Sequence, residues 1–246
     1  MIKKLCSILI CWLLTHVAAT HTTAQVLVKD ITPGLDPTVS VQKMSKGTYR
    51  SENHLEYNGK LIFTANTSLG TPRILSEPFI TDGTPQGTHL LKNINPNFSS
   101  DPQYYTEFNG EVYFQANDGT HGIELWKTDG TESGTVMVKD IIPGALGSGP
   151  INFVVYKNNL YFIAATAAPY AEVWRTDGTA SGTVKVNSTD DFMYYTGREM
   201  AVYRDTLFLI TSNDRCLYKS GDGTNFTKCL TPTGGSVEQI SELVIW

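Results

Sequence analysis

The sequence predicts an all-β chain, a propeller-like array of four-stranded antiparallel sheets with about 47 residues to the repeat. Three observations predict it. An Asp-Gly-Thr tripeptide returns at Asp82, Asp129, Asp177 and, in an altered copy, Asp222, giving spacings of 47, 48 and 45 residues. Each period divides into four short runs of β-branched and aromatic residues separated by turn residues. No apolar pattern of helical period survives over the length of even a short helix beyond the N-terminal stretch.

The N-terminus comes first. "MIKK" is a short basic start, "LCSILICWLLTHVAA" is an apolar run too short for a comfortable membrane span, and Thr22 and Ala24 are small residues before Gln25. Residues 1–24 therefore read as a signal peptide, with no transmembrane segment after it and an exported chain, secreted or at the cell surface. Removing Lys3 and Lys4 leaves 17 basic residues against 24 acidic ones. That balance, without a basic run, speaks against nucleic acid as a partner.

Residues 25–246 form the repeat domain. "VLVKDI" (Val26–Ile31) reads as a lone fourth strand. Four blades follow at roughly 52–93, 105–140, 151–187 and 199–230, and "ISELVIW" (Ile240–Trp246) reads as a lone first strand. The array is thus expected to be an incomplete propeller, part of a longer chain. Second strands such as "VYFQA" and "LYFIA" are apolar on both faces, which suits a sheet stacked between two like sheets. Fourth strands carry Lys29, Lys139 and Lys185, which suits an outer, wetter edge. Trp126 and Trp174 recur with the period and read as core between blades.

The turns have local mechanisms. Asn58-Gly59 and Asn109-Gly110 between apolar runs signal two-residue hairpins, because both central residues of that turn need positive φ. Asn158-Asn159 and Arg204-Asp205 are the weaker versions. In the second turn type, Asp82, Asp129, Asp177 and Asp222 accept backbone N–H bonds, and Gly83, Gly130, Gly178 and Gly223 supply positive φ. One carboxylate per turn is too few for a calcium loop. These residues read as structural, and no metal or cofactor is expected.

"ELWKTDGT" (Glu124–Thr131) and "EVWRTDGT" resemble the ELWxxDGT repeat family of bacterial secreted proteins, and "GTVMVKDIIPGALGSGP" (Gly134–Pro150) is similar to that family's continuation. The resemblance covers nearly all of residues 25–246. It implies a propeller-like β-fold and export, and it implies no activity. The fourth copy departs: "KSGDGTNFTKC" (Lys219–Cys229) resembles an Asp box, a structural hairpin of other propellers.

Function falls to the loops. Turns after first and third strands are uniform, whereas connections after second and fourth strands differ in length and chemistry, and the two kinds emerge on opposite faces. Varied loops on a rigid scaffold are where binding resides. Phe98, Tyr104, Tyr170, Phe192 and Tyr194 are placed in those loops as candidate contacts for sugar rings. The expected role is an exported, non-catalytic binding or scaffold module for an extracellular glycan or protein. The alternatives are a propeller-type glycoside hydrolase or polysaccharide lyase fragment, needing paired carboxylates such as two of Asp118, Asp190, Asp191 and Asp214, or a purely structural surface repeat. Cys216 and Cys229, an even pair in an exported chain, are expected to form a disulfide within the last hairpin.

Overall fold

The structure is a computed structural model that describes residues 53–67, 75–167, 170–186, 193–194, 199–210 and 217–229. The expected signal peptide and lone end strands, together with Phe192 and Cys216, lie outside the described residues. Every element among the described residues is a strand, and none is a helix. Among the described residues no helix is long and apolar enough to cross a membrane.

The strands form four antiparallel sheets in simple up-down order. Blade 1 holds β1 (His54–Tyr57), β2 (Lys60–Thr67), β3 (Leu75–Thr81) and β4 (His89–Leu90). Blade 2 holds β5 (Gln103–Phe108), β6 (Glu111–Asn117), β7 (Ile123–Thr128) and β8 (Val136–Lys139). Blade 3 holds β9 (Ile151–Tyr156), β10 (Asn159–Ala167), β11 (Tyr170–Thr176) and β12 (Val184–Lys185), with the short β13 (Met193–Tyr194) pairing onto β11. Blade 4 holds β14 (Glu199–Tyr203), β15 (Thr206–Ile210), β16 (Leu217–Ser220) and β17 (Thr227–Lys228).

The first strands lie side by side, β1 by β5, β5 by β9 and β9 by β14, so they line a common axis. The fourth strands form the outer edges. They are short, as an exposed edge tolerates best. Between consecutive sheets lie three apolar cores. Tyr57, Ile62 and Ile80 of blade 1 meet Val112, Phe114 and Trp126 of blade 2. Phe108 and Tyr113 of blade 2 meet Leu160, Phe162 and Trp174 of blade 3. Tyr156 and Tyr161 of blade 3 meet Leu207, Leu209 and Tyr218 of blade 4. The second strands are apolar on both faces because both faces are covered.

Hydrogen bonds at one end of the sheets reinforce these joints. In blades 1 and 3 the tyrosine closing the first strand reaches the first turn of the next blade. The Tyr57 hydroxyl donates to the Gly110 carbonyl. The Tyr156 hydroxyl lies 2.9 Å from the Asp205 carbonyl and 2.8 Å from that of Gly221. Lys127 Nζ donates to the Gly178 carbonyl at 3.2 Å, and Lys139 Nζ to the Thr183 carbonyl at 2.7 Å.

Three expectations are corrected here. The first turn of blade 3 is Lys157-Asn158, both at positive φ (45° and 56°), because Tyr156 pairs with Asn159. Tyr104 is not in a loop but in the innermost strand β5. There it has φ 64° at a register shift between Gln103 and Thr106, and Asn152 holds the equivalent bulge in β9. Tyr170 and Tyr194 likewise sit in strands, β11 and β13. Nor is the expected disulfide seen: Cys229 is a free thiol whose N–H donates to the Leu217 carbonyl at 2.8 Å, and Cys216 lies outside the described residues.

Candidate functional site

The two faces of the array are built differently. On the turn face, each Asp-Gly-Thr unit absorbs its own polar groups. Asp129 Oδ1 accepts from Thr131 N–H (2.9 Å) and Thr131 Oγ1 (2.6 Å), and Thr131 Oγ1 accepts from Gly134 N–H (3.0 Å). Thr128 Oγ1 accepts from Gly130 N–H (3.0 Å) and meets Thr135 Oγ1 at 2.8 Å. Asp82 and Asp177 repeat the pattern. The hydrogen bonds from the threonine hold all three carboxyls below the usual range. Asp222 is held far lower, chiefly by the Asn225 and Thr224 N–H groups, and Ser220 Oγ adds a bond at 2.9 Å.

The other face is assembled around two buried glutamates. Glu77 and Glu124, the first residue of each "E-x-x" third-strand motif, are 0 % exposed. Each accepts from the crossover that leaves its blade. Glu77 takes Ile94 N–H (3.0 Å), Asn95 N–H (3.4 Å) and Ser100 Oγ (2.6 Å). Glu124 takes Ile142 N–H (3.1 Å), Ser148 N–H (3.0 Å) and Ser148 Oγ (2.5 Å). The serine carbonyls then accept from the second strand of the next blade, Ser100 from Asn117 N–H and Ser148 from Ala165 N–H. Burial outweighs these hydrogen bonds and pushes both carboxyls up, Glu77 to about 7. Glu172, the third copy, pairs instead with Lys185 at 2.8 Å.

Between the two crossovers sits the β6–β7 loop, Asp118–Gly122. Gly119 (φ 84°) packs on Asn95 of the first crossover, and Gly122 (φ 71°) packs on Leu146 and Gly147 of the second. A Cβ at Gly122 would lie 2.5 Å from the Gly147 nitrogen, so only glycine allows this approach. Asp118 Oδ1 accepts from the Thr120 and His121 N–H groups, both at 2.8 Å, and its Oδ2 lies 2.6 Å from His121 Nδ1. The bond to Asp118 raises the imidazole above its ordinary value. Burial raises the Asp118 carboxyl, but the bonds from His121 outweigh it, and the group is held low. Phe98 and Leu146, carried by the flanking crossovers, are 59 % and 85 % exposed.

The result is a partly exposed imidazole, oriented by Asp118, on a loop packed between the two crossovers that carry Phe98 and Leu146. It can present a hydrogen-bonding ring and apolar surface to a ligand. Of the sequence candidates, Phe98 belongs to it, and Phe192 lies outside the described residues. Tyr104 is half-buried with its ring 6.4 Å from that of Phe153. Tyr170 and Tyr194 are direct cross-strand partners. Glu77, Glu124 and His121 were not among the sequence candidates. The signals for them were a serine 23 or 24 residues after each glutamate, and Asp118 three residues before His121.

No protein-family model matches the chain, and no curated protein matches it. Among solved structures it is similar to an alpha-L-arabinofuranosidase from Clostridium thermocellum (15 % identity, TM-score 0.40, 72 % of this chain and 70 % of that one). It is also similar to the beta-propeller domain of the Trilobed protease from Pyrococcus furiosus (9 %, 0.44, 73 % and 57 %). An exo-beta-1,3-galactanase from Clostridium thermocellum is a third (12 %, 0.40, 71 % and 46 %). The chain thus spans about half the length of the last two, and likeness at this level says nothing about the chemistry of the site.

Proposed function

We propose that this chain is an exported, non-catalytic binding or scaffold module of the ELWxxDGT repeat type, whose varied-loop face takes an extracellular glycan or protein. The export part rests on residues 1–24. The observation that supports binding is the contrast between faces. The Asp-Gly-Thr face turns its polar groups inward to its own turns, whereas the other leaves Phe98 and Leu146 exposed beside His121. A stacking aromatic beside an oriented hydrogen-bonding ring suits a sugar ring.

A glycan and polysaccharide screen of the secreted protein, run alongside a reducing-sugar assay, tests this reading. Binding without product release is expected, and Phe98→Ala and His121→Ala should each weaken it about tenfold, as loss of one good contact does. Product release abolished by changing Asp118 would establish the glycoside hydrolase reading instead. Neither binding nor release would leave a structural surface repeat.

A further inference from the structure

We infer that Asn109-Gly110 is a deamidation site, where the asparagine cyclises onto the glycine nitrogen and loses ammonia, and that the Tyr57 hydroxyl of blade 1 sets its rate. The first turns of the four blades share one backbone. Asn58-Gly59, Asn109-Gly110, Lys157-Asn158 and Arg204-Asp205 all hold positive φ at both residues, between 45° and 73°. Such a turn favours Asn-Gly. The same dipeptide is the one most open to cyclisation, because glycine sets no side chain beside its nitrogen. Asn109 and Gly110 are both exposed at the tip of the β5–β6 hairpin, in a blade with another blade on each side. Asn158 makes the contrast. It is followed by Asn159, which carries a side chain, opens β10 and pairs with Tyr156.

The Gly110 nitrogen attacks the side-chain carbonyl carbon of Asn109. A bond forms between them, the side-chain amide C–N bond breaks, and ammonia leaves with the proton that the glycine nitrogen gives up. Water then opens the cyclic imide. Breaking its link to the side-chain carbonyl gives aspartate. Breaking its link to the main-chain carbonyl gives isoaspartate, whose main chain runs through the former side chain. Nothing is oxidised or reduced, and water is the only co-reactant. Ring closure needs the Asn109–Gly110 peptide to rotate out of the tight turn. Tyr57 resists that rotation, since its hydroxyl donates to the Gly110 carbonyl while its ring is buried in the core between blades 1 and 2. Isoaspartate lengthens a two-residue turn by one carbon. The pairing of Phe108 with Glu111 then no longer closes as it did, and the Gly110 carbonyl leaves Tyr57. The turn chemistry that folds this hairpin thus also provides for the loosening of its joint.

Peptide mapping of the whole folded chain, held in mildly alkaline buffer and sampled over time, tests this. Asn109 is expected to convert to a mixture of isoaspartate and aspartate while Asn158 stays intact. Tyr57→Phe keeps the ring, as Phe108 does at the next joint. It should convert Asn109 about fivefold faster, the change in an opening equilibrium when one hydrogen bond is lost. Asn109→Asp separates the new charge from the altered main chain, so protein carrying isoaspartate should unfold at lower urea than Asn109→Asp does. An Asn109 that stays intact while the urea-unfolded chain converts overturns the site, as does conversion no faster than that of Asn158. An unchanged rate in Tyr57→Phe, in protein whose circular dichroism matches wild type, overturns the role of Tyr57. Equal urea midpoints for the isoaspartyl protein and Asn109→Asp overturn the loosening of the joint.

Discussion

The Ser148 hydroxyl lies 2.5 Å from the Glu124 carboxylate, 24 residues earlier in the chain, and the pair ties the blade 2–3 crossover to the third strand of blade 2. Removing the carboxylate strands the Ile142 N–H and the Ser148 hydroxyl, each worth about 1–3 kcal/mol when buried and unpaired, while the Ser148 N–H keeps its bond to the Ile123 carbonyl at 2.9 Å. Glu124→Ala is therefore expected to cost roughly 3 kcal/mol or more in urea unfolding. Glu172→Ala is the internal control. Its partner Lys185 has a half-exposed side chain (48 %), so the loss should be below about 1 kcal/mol.

The Glu77 carboxyl, raised by burial from 4.5 to about 7, makes stability depend on pH. Between those values the folded chain holds a proton that the unfolded chain has released. Unfolding then releases protons, and stability falls as pH rises through this window. Glu124 is shifted in the same sense. The melting temperature should be higher near the low end of the window than above its high end. Glu77→Gln should flatten the dependence, and a wild-type melt that rises across the window would contradict the assignment.

Gly83 and Gly178 share positive φ (88° and 98°) but not surroundings. Alanine at Gly83 should cost only the left-handed backbone penalty, about 1 kcal/mol. Alanine at Gly178 adds an overlap with the Tyr113 hydroxyl, so its cost should exceed that of Gly83→Ala by about 1–3 kcal/mol. Denaturant midpoints of the two variants give the comparison directly.

Tyr156→Phe removes the one hydroxyl proton that the Asp205 and Gly221 carbonyls share, without changing the ring. Phe108 fills the same position at the preceding joint, so the ring fits without its hydroxyl. The expected loss is about 1–2 kcal/mol, with exchange of the β14 and β15 amides speeding up before that of blade 2.

The strands and their grouping were legible because turn chemistry is local. Asn58-Gly59 and Asp129-Gly130-Thr131 specify their backbone within four residues, and the period then repeats the outcome. The Lys157-Asn158 frame was misread because two asparagines stood side by side and only the pairing of Tyr156 with Asn159 separates them. Glu77 and Glu124 were the larger miss. Their partners are crossover amides and serines more than 15 residues away, and alternation along a strand cannot tell a glutamate facing water from one folded into a loop. The Asp118–His121 pair was hidden because the loop that turns the two residues together is shaped by Gly119 and Gly122 against neighbouring crossovers.

Among the described residues, each hydroxyl and ammonium group that crosses a joint touches only the blade beside it. No described element holds all four blades at once, so the free energy of the described array divides into terms for single sheets and for adjacent pairs. A break at one joint then leaves blade 2 or blade 3 still held at its other side.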